Sequence, residues 1–184
     1  MDLLSQFLTP INLRLFELLI DNPYFVRELA LKAKVSPAKV TQFSKLFARD
    51  NLIQHTRELN RKKIAVNKDH PLVREIISLI FIHKIIHSKS FQHLQSISQS
   101  IGVYGSVVEG TVDQKSDIDL WVLSPKKVGM IESGTLQKKM TQELEREVSL
   151  KFYKREELDK LKTKDPIFYN ELVYKSKIVY GDGF

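Results

Sequence analysis

Two aspartates one residue apart, Asp117 and Asp119, follow a Gly105-Ser106 pair after ten intervening residues that include Gly110. Side chains alternate along a strand, so the two carboxylates are expected on one face, about 6–7 Å apart. Carboxylates so placed repel each other and favour a cation between them. Mg²⁺ (or Mn²⁺) suits the pair, because it takes oxygen ligands and shares one or two carboxylates with substrate phosphates. The Gly-Ser pair supplies the complementary half. Glycine lets the backbone approach a ligand, and turn amides with a hydroxyl can hold phosphate oxygens. Ser116, beside Asp117, is read with them as a nucleotide contact. Together these parts would clamp a nucleoside triphosphate for in-line attack at its α-phosphorus.

Such a site needs strands to carry it. Residues 101–104 and 118–123 read as strands, 136–147 as a helix and 148–153 as a third strand. Residues 156–161 and 167–174 read as helices, and 178–180 as a last short strand. Strands and helices mixed in this way predict an α+β fold, a mixed sheet flanked by helices.

The run Val103-Tyr104-Gly105-Ser106-Val107-Val108-Glu109-Gly110, continued through Ser116-Asp117-Ile118-Asp119-Leu120, resembles the signature of the DNA polymerase beta nucleotidyltransferase superfamily and is similar to its minimal nucleotidyltransferases. The resemblance covers about residues 101–181. It implies transfer of a nucleoside monophosphate to a hydroxyl, with Mg²⁺ and usually ATP. It also implies Gly105 and Ser106 on the triphosphate, and Asp117 and Asp119 on the metal. Some minimal nucleotidyltransferases pair with helical toxin proteins, so a partner of that type is an expectation here. The family carries a third carboxylate on a neighbouring strand, as metal ligand and base. Register puts Ser149 at that position, and serine cannot serve as the base. Glu147, one pleat away on the same face, is the candidate replacement, and Lys151 is a candidate phosphate contact.

The first half of the chain has a different character. The net charge of +7 divides as +5 in residues 1–70, +2 in 71–100 and 0 in 101–184, so the basic excess lies where a nucleic-acid backbone would be met. Residues 11–20 read as a helix with Ile11, Leu15, Leu18 and Leu19 inward; 24–26 are extended; 27–34 read as a second helix with Leu29, Ala30 and Ala33 inward. Ser36-Pro37 is a helix start, the hydroxyl capping first-turn amides and proline fitting the first position. It opens a third helix over 37–50 with Val40, Phe43, Leu46 and Phe47 on one face. Two apolar-bearing runs, 52–56 and 63–66, flank a basic tip at 57–62. Three helices and a basic hairpin resemble the winged helix-turn-helix regulators over about residues 10–68. The resemblance implies DNA contact by Lys39, Thr41, Gln42 and Lys45 in the major groove, and by Arg61, Lys62 and Lys63 on phosphate or in the minor groove.

Residues 71–88 form a helix apolar over too wide an arc for a surface element, expected to pack between domains or to make a homodimer contact. Residues 88–100 are more polar and are expected to continue it. His83 and His87 have a metal-ligand spacing, but no third ligand is evident and they read as structural or surface histidines. The expected organisation is a winged helix-turn-helix domain at 1–70, a linker helix at 71–100 and a nucleotidyltransferase domain at 101–184. There is no cysteine, so no disulfide or cysteine–zinc site exists in this sequence. A hydrophobic content of 42% with 28% charged residues excludes a disordered chain. The most apolar stretch, 76–82, is far below the roughly 20 residues of a membrane span, and residues 1–10 lack a basic signal region. A cytoplasmic protein without membrane contact is expected. Two functions follow: an NTP-dependent enzyme, or a DNA-binding regulator whose degenerate transferase domain senses nucleotide.

Overall fold

The protein is described from a computed structural model over residues 9–58 and 61–183. Contacts divide it into two units: residues 1–80 with 110–115, and residues 81–109 with 116–184.

In the first unit, α1 (Pro10–Asp21) opens on Pro10, with the Thr9 hydroxyl accepting the Asn12 N–H at 3.3 Å. Its buried stripe is Asn12, Leu15, Phe16, Leu19 and Ile20. The expected stripe differs: Ile11 is exposed and Leu18 only half-buried. The helical spacing starts one residue later, on a buried asparagine that a count of apolar residues passes over. After β1 (Tyr24–Phe25) comes α2 (Val26–Ala33), which buries Leu29, Ala30 and Ala33 as expected and stops at Lys34 in the left-handed region. Then α3 (Pro37–Ala48) begins where Ser36-Pro37 predicts, the Ser36 hydroxyl accepting the Lys39 N–H at 3.2 Å. Phe16, Phe43 and Phe47 join α1 to α3, with ring centroids 5.1–5.2 Å apart. Each such pair is worth about 0.5–1.5 kcal/mol beyond its burial. Leu46 is half-exposed, and Ser44 takes the inward position instead.

The hairpin of β2 (Ile53–Glu58) and β3 (Arg61–Val66) pairs antiparallel from Ile53↔Val66 to Glu58↔Arg61, and β1 adds to the other side of β3. The expected tip at 57–62 is therefore too long. Arg57, Glu58, Arg61 and Lys62 lie in the ladder, and residues 59 and 60 fall outside the described residues. Charged residues on an exposed hairpin stay in register because the backbone ladder, not side-chain burial, holds them.

The boundary between the units falls inside α4 (Pro71–Ile86). The helix ends at Ile86 and does not run on through residues 88–100 as expected. Ser88 caps a separate helix, α5 (Lys89–Ile97), by accepting the Phe91 N–H at 3.3 Å.

The second unit is built on a mixed sheet of order β6-β5-β4-β7. Its strands are β4 (Ser100–Tyr104), β5 (Ile118–Leu123), β6 (Val148–Tyr153) and β7 (Lys177–Tyr180). β5 and β6 are parallel, joined through α7 (Met130–Leu144), and the other pairs are antiparallel. A single-turn helix, α6 (Ser106–Glu109), follows β4. Helices α8 (Arg155–Lys164) and α9 (Pro166–Tyr174) precede β7. One face of the sheet buries Ile101, Val103, Leu120 and Val122, and α7, which packs on β6, buries Leu136, Met140 and Leu144. The other face carries a cluster of Tyr104, Trp121 and Leu123 with Leu158 of α8 and Leu172 of α9. Edge strand β6 is covered by side chains of α7: the Thr141 hydroxyl accepts the Val148 N–H, and the Gln137 carbonyl accepts the Leu150 N–H.

No helix among the described residues is long and apolar enough to cross a membrane.

Candidate active site

Register sets the composition of the site. Tyr104 pairs with Asp119, and Asp119 pairs with Ser149, so one row across three strands reads Tyr104–Asp119–Ser149. The next row on the same face reads Gly102–Trp121–Lys151. Glycine is required there because the indole lies across it: a Cβ at Gly102 would stand 2.2 Å from Trp121. The first row lies at the end of β4 and the starts of β5 and β6, where the apolar cluster gives way to polar groups.

Asp117 stands one residue ahead of β5 and is exposed. Its backbone is held on both sides: the Ser116 carbonyl accepts from Arg146 Nη1 at 3.0 Å, and the Ile118 N–H donates to the Glu147 carbonyl at 2.9 Å. Asp119 is half-buried. Burial raises its pKa above the usual carboxylate range. The Asp117 and Glu171 carboxylates push the same way, and the Ser149 hydrogen bond and the Lys151 ammonium oppose them. A carboxylate in this setting is stabilised by a cation or a donor.

Gly105 leaves β4 with φ +69 and starts α6, its carbonyl accepting from the amides of Val108 and Glu109. The first amides of such a turn are not consumed by its own carbonyls. A Cβ at Gly105 would come within 3.0 Å of Asp119 Oδ2, so the glycine brings the turn directly onto the carboxylate. Gly110, at φ +67, is fixed by a different neighbour, because a Cβ there would meet the Arg74 carbonyl at 2.1 Å. The donor set of two carboxylates, a serine hydroxyl and a glycine-opened turn fits an oxygen-seeking divalent ion shared with a phosphate. Among the described residues, no three acids or histidines converge as a ready-made metal cluster.

The other expected residues are distributed as follows. Ser106 and Ser116 are half-buried beside the turn and Asp117. Lys151 is exposed, its ammonium 4.6 Å from the Phe168 ring centroid and 5.7 Å from that of Tyr104. Glu147 is exposed ahead of β6, and it is Ser149 that stands opposite Asp119. His83 on α4 and His87 just past its end are both exposed and stack with centroids 4.2 Å apart, and His87 Nδ1 pairs with the His83 carbonyl. In the first unit, Gln42 and Lys45 are exposed, Lys39 is half-buried, and the Thr41 hydroxyl donates to the Pro37 carbonyl. Arg61 and Lys63 share a face of β3 and reach over Phe25, whereas Lys62 points the other way, so the three do not form one patch.

Three residues around Asp119 are absent from the sequence-based expectation: Tyr104, Phe168 and Glu171. The Tyr104 hydroxyl is buried without a hydrogen-bond partner among the described residues, and its ring meets Phe168 edge-on at 6.0 Å. Its pKa stands well above that of an ordinary phenol through burial and then the charges of Asp119, Tyr153 and Glu171. The one signal for them in the sequence is the spacing Phe168, Leu172, which turns one face of α9 to the sheet with Glu171 beside it.

Several solved structures are similar to this chain. One is described as a toxin–antitoxin with AMP-PNP, at 26% identity over 55% of this chain and 73% of that one, TM-score 0.43. Another is a tri-AMPylated Shewanella oneidensis HEPN toxin in complex with MNT antitoxin, at 22% over 57% and 73%, TM-score 0.40. A third is the toxin–antitoxin MntA-HepT, at 22% over 56% and 73%, TM-score 0.39. No curated protein matches. Residues 84–174 match the family model described as nucleotidyltransferase domain, a span that contains the Gly105-Ser106 turn, both aspartates, Ser149, Lys151 and Glu171.

Proposed function

We propose that the chain transfers a nucleoside monophosphate from a nucleoside triphosphate, taken as ATP, to a hydroxyl acceptor with Mg²⁺, and that its first unit is a winged helix-turn-helix that binds DNA. The observation that carries the enzymatic reading is the approach of the Gly105 turn to the Asp119 carboxylate, with Asp117 just ahead of the same strand. The match of residues 84–174 to the nucleotidyltransferase domain supports it.

In this reading Asp117 and Asp119 hold Mg²⁺, which when bound draws charge from the triphosphate and orients it. The Gly105 and Ser106 amides and the Ser106 hydroxyl hold phosphate oxygens, with Ser116 beside them. Lys151 offsets negative charge on the same face and lowers the cost of ionising Asp119. The acceptor is a small molecule, a protein side chain such as that of a helical toxin-type partner, or an RNA end. The test is incubation of the purified chain with ATP labelled at its α-phosphate, Mg²⁺ and these acceptor classes. Label is expected on one of them and absent with Asp117→Ala and Asp119→Ala; equal labelling in all three proteins sinks the reading.

The pairing of Ser149 opposite Asp119, at the position where the resemblance expects an acid, favours a second reading: a DNA-binding regulator that senses nucleotide without turnover. It requires a DNA affinity that changes when AMP-PNP and Mg²⁺ are added. No DNA binding at low salt removes it.

A further inference from the structure

The two aspartates of the site are held in different ways. Asp119 lies inside the sheet, with Tyr104 of β4 opposite it on one side and Ser149 of β6 on the other. Asp117 is exposed and stands ahead of both ladders, one residue before β5 begins. Its direction therefore depends on its two flanking peptide groups, because a residue has only two soft backbone dihedrals. Both groups are fastened to the same short segment between α7 and β6. The Ser116 carbonyl, in the peptide before Asp117, accepts from Arg146 Nη1 at 3.0 Å. The Ile118 N–H, in the peptide after it, donates to the Glu147 carbonyl at 2.9 Å. With both peptide planes pinned, the Cα–Cβ bond of Asp117 has one direction.

The segment that does this is itself braced. Glu145 ends α7 at φ +53, and the Arg146 N–H donates to the Thr141 carbonyl at 3.3 Å. On the far side, the Val148 N–H donates to the Thr141 hydroxyl at 3.1 Å. The half-buried Arg146 guanidinium lies over the ring of buried Phe81, 5.1 Å from its centroid. A guanidinium can lie on an aromatic ring and donate within its own plane at the same time, which a lysine ammonium does not reproduce.

We infer that Arg146 is a positioning residue for Asp117: its guanidinium, braced on Phe81, fixes the Ser116–Asp117 peptide and so holds the Asp117 carboxylate in place for the divalent ion it shares with Asp119. This deepens, and rests on, the transferase reading. It also gives Glu147 a different part from the one its carboxylate suggests, since its main-chain carbonyl is what serves the site. Groups that orient a metal ligand are worth about 10–100-fold in metal affinity.

The test uses the full chain and calorimetric titration with AMP-PNP, once in Mg²⁺ and once in EDTA, so that the ratio of the two affinities isolates the ion. Wild type is compared with Arg146→Met, Arg146→Lys and Asp117→Ala, with a melting curve for each. Leu144→Ala, a truncation at the buried end of α7, is the destabilised control that keeps the arginine. The expected result is a ratio at least about tenfold smaller in Arg146→Met, with the EDTA affinity unchanged. Arg146→Lys, which keeps a donor, should recover part of the ratio. Leu144→Ala should melt lower and keep the wild-type ratio. A folded Arg146→Met that keeps the ratio while Asp117→Ala loses it, no recovery in Arg146→Lys, or an equal loss in Leu144→Ala overturns the assignment and leaves the transferase reading standing. Wild type that gains no affinity from Mg²⁺, or Asp117→Ala that keeps the whole gain, overturns the metal pair and the transferase reading, and the assignment with them.

Discussion

Asp119 on β5 and Ser149 on β6 stand opposite each other in parallel register, and the serine hydroxyl counters the rise that burial gives the carboxylate's pKa. A neutral donor therefore occupies the place where a second negative charge would otherwise press on Asp119. Ser149→Asp restores that charge. Without divalent ions the variant is expected to melt about 2–4 °C lower, the shift that about 1 kcal/mol gives a chain of this size. Mg²⁺ with AMP-PNP should raise its melting point by more than it raises that of wild type. Thermal scans with and without the ion decide this, and an ion-independent difference counts against a metal at Asp119.

The two glycines of the site predict different defects. Gly102→Ala forces a methyl into the Trp121 indole, 2.2 Å away, and should cost about 1–3 kcal/mol in urea unfolding. Gly105→Ala meets a left-handed backbone, a penalty of about 1–2 kcal/mol, and crowds Asp119 Oδ2. Its distinguishing effect is on ligand: AMP-PNP affinity with Mg²⁺ should fall by about tenfold or more, as about 1.4 kcal/mol per decade requires. Gly102→Ala, where folded, should bind nearly as wild type does.

Asp119 holds its proton to a higher pH than an ordinary aspartate, chiefly through burial. Affinity for Mg²⁺ and AMP-PNP is therefore expected to weaken on acidification at a pH above the usual carboxylate range. The effect on stability runs the other way. The folded chain binds this proton more tightly than the unfolded chain, so the contribution is fully present below the unfolded pKa and is lost as pH rises through the folded one. Asp119→Asn should thus be more stable than wild type at neutral pH and bind no Mg²⁺-nucleotide. Calorimetric titration and melting curves across pH 4–8, approximately the range in which such groups matter, check both halves.

The DNA reading is tested by salt. Lys39→Ala combined with Lys45→Ala should weaken binding to a random duplex. The slope of log affinity against log salt should flatten by about 1 for each phosphate the variant no longer neutralises. Lys62→Ala and Lys63→Ala should differ from each other, because the two side chains leave opposite faces of β3. An unchanged slope in the α3 variant would move the DNA-binding surface elsewhere.

Much of the second unit is legible from local pattern. The spans of β5 and β6 coincide with expectation, because apolar runs bounded by polar residues leave little choice of ends. Ser36 and Ser88 are both caps, but only the first reads as a break in the sequence. Proline follows Ser36 and announces the helix start, whereas Lys89 follows Ser88 and does not. The stripe of α1 escapes the sequence through Asn12, since burial of an amide depends on partners that a sequence does not name. Glu171 escapes it for a different reason. It lies 52 positions beyond Asp119 in the chain, and its charge acts there only because Phe168 and Leu172 fasten α9 to the sheet. Register within a sheet follows from pattern; what a later helix lays across its face does not.

The indole stacked over Gly102 has one more consequence. Trp121 is the only tryptophan in the chain, and it lies two residues from Asp119 inside the second unit. Its emission is a built-in gauge of that unit alone, while far-ultraviolet dichroism sums the helices of both. If fluorescence and dichroism melt at one temperature, the two units unfold as a single cooperative body. If they part, the optical gap between them measures how independently the second unit stands.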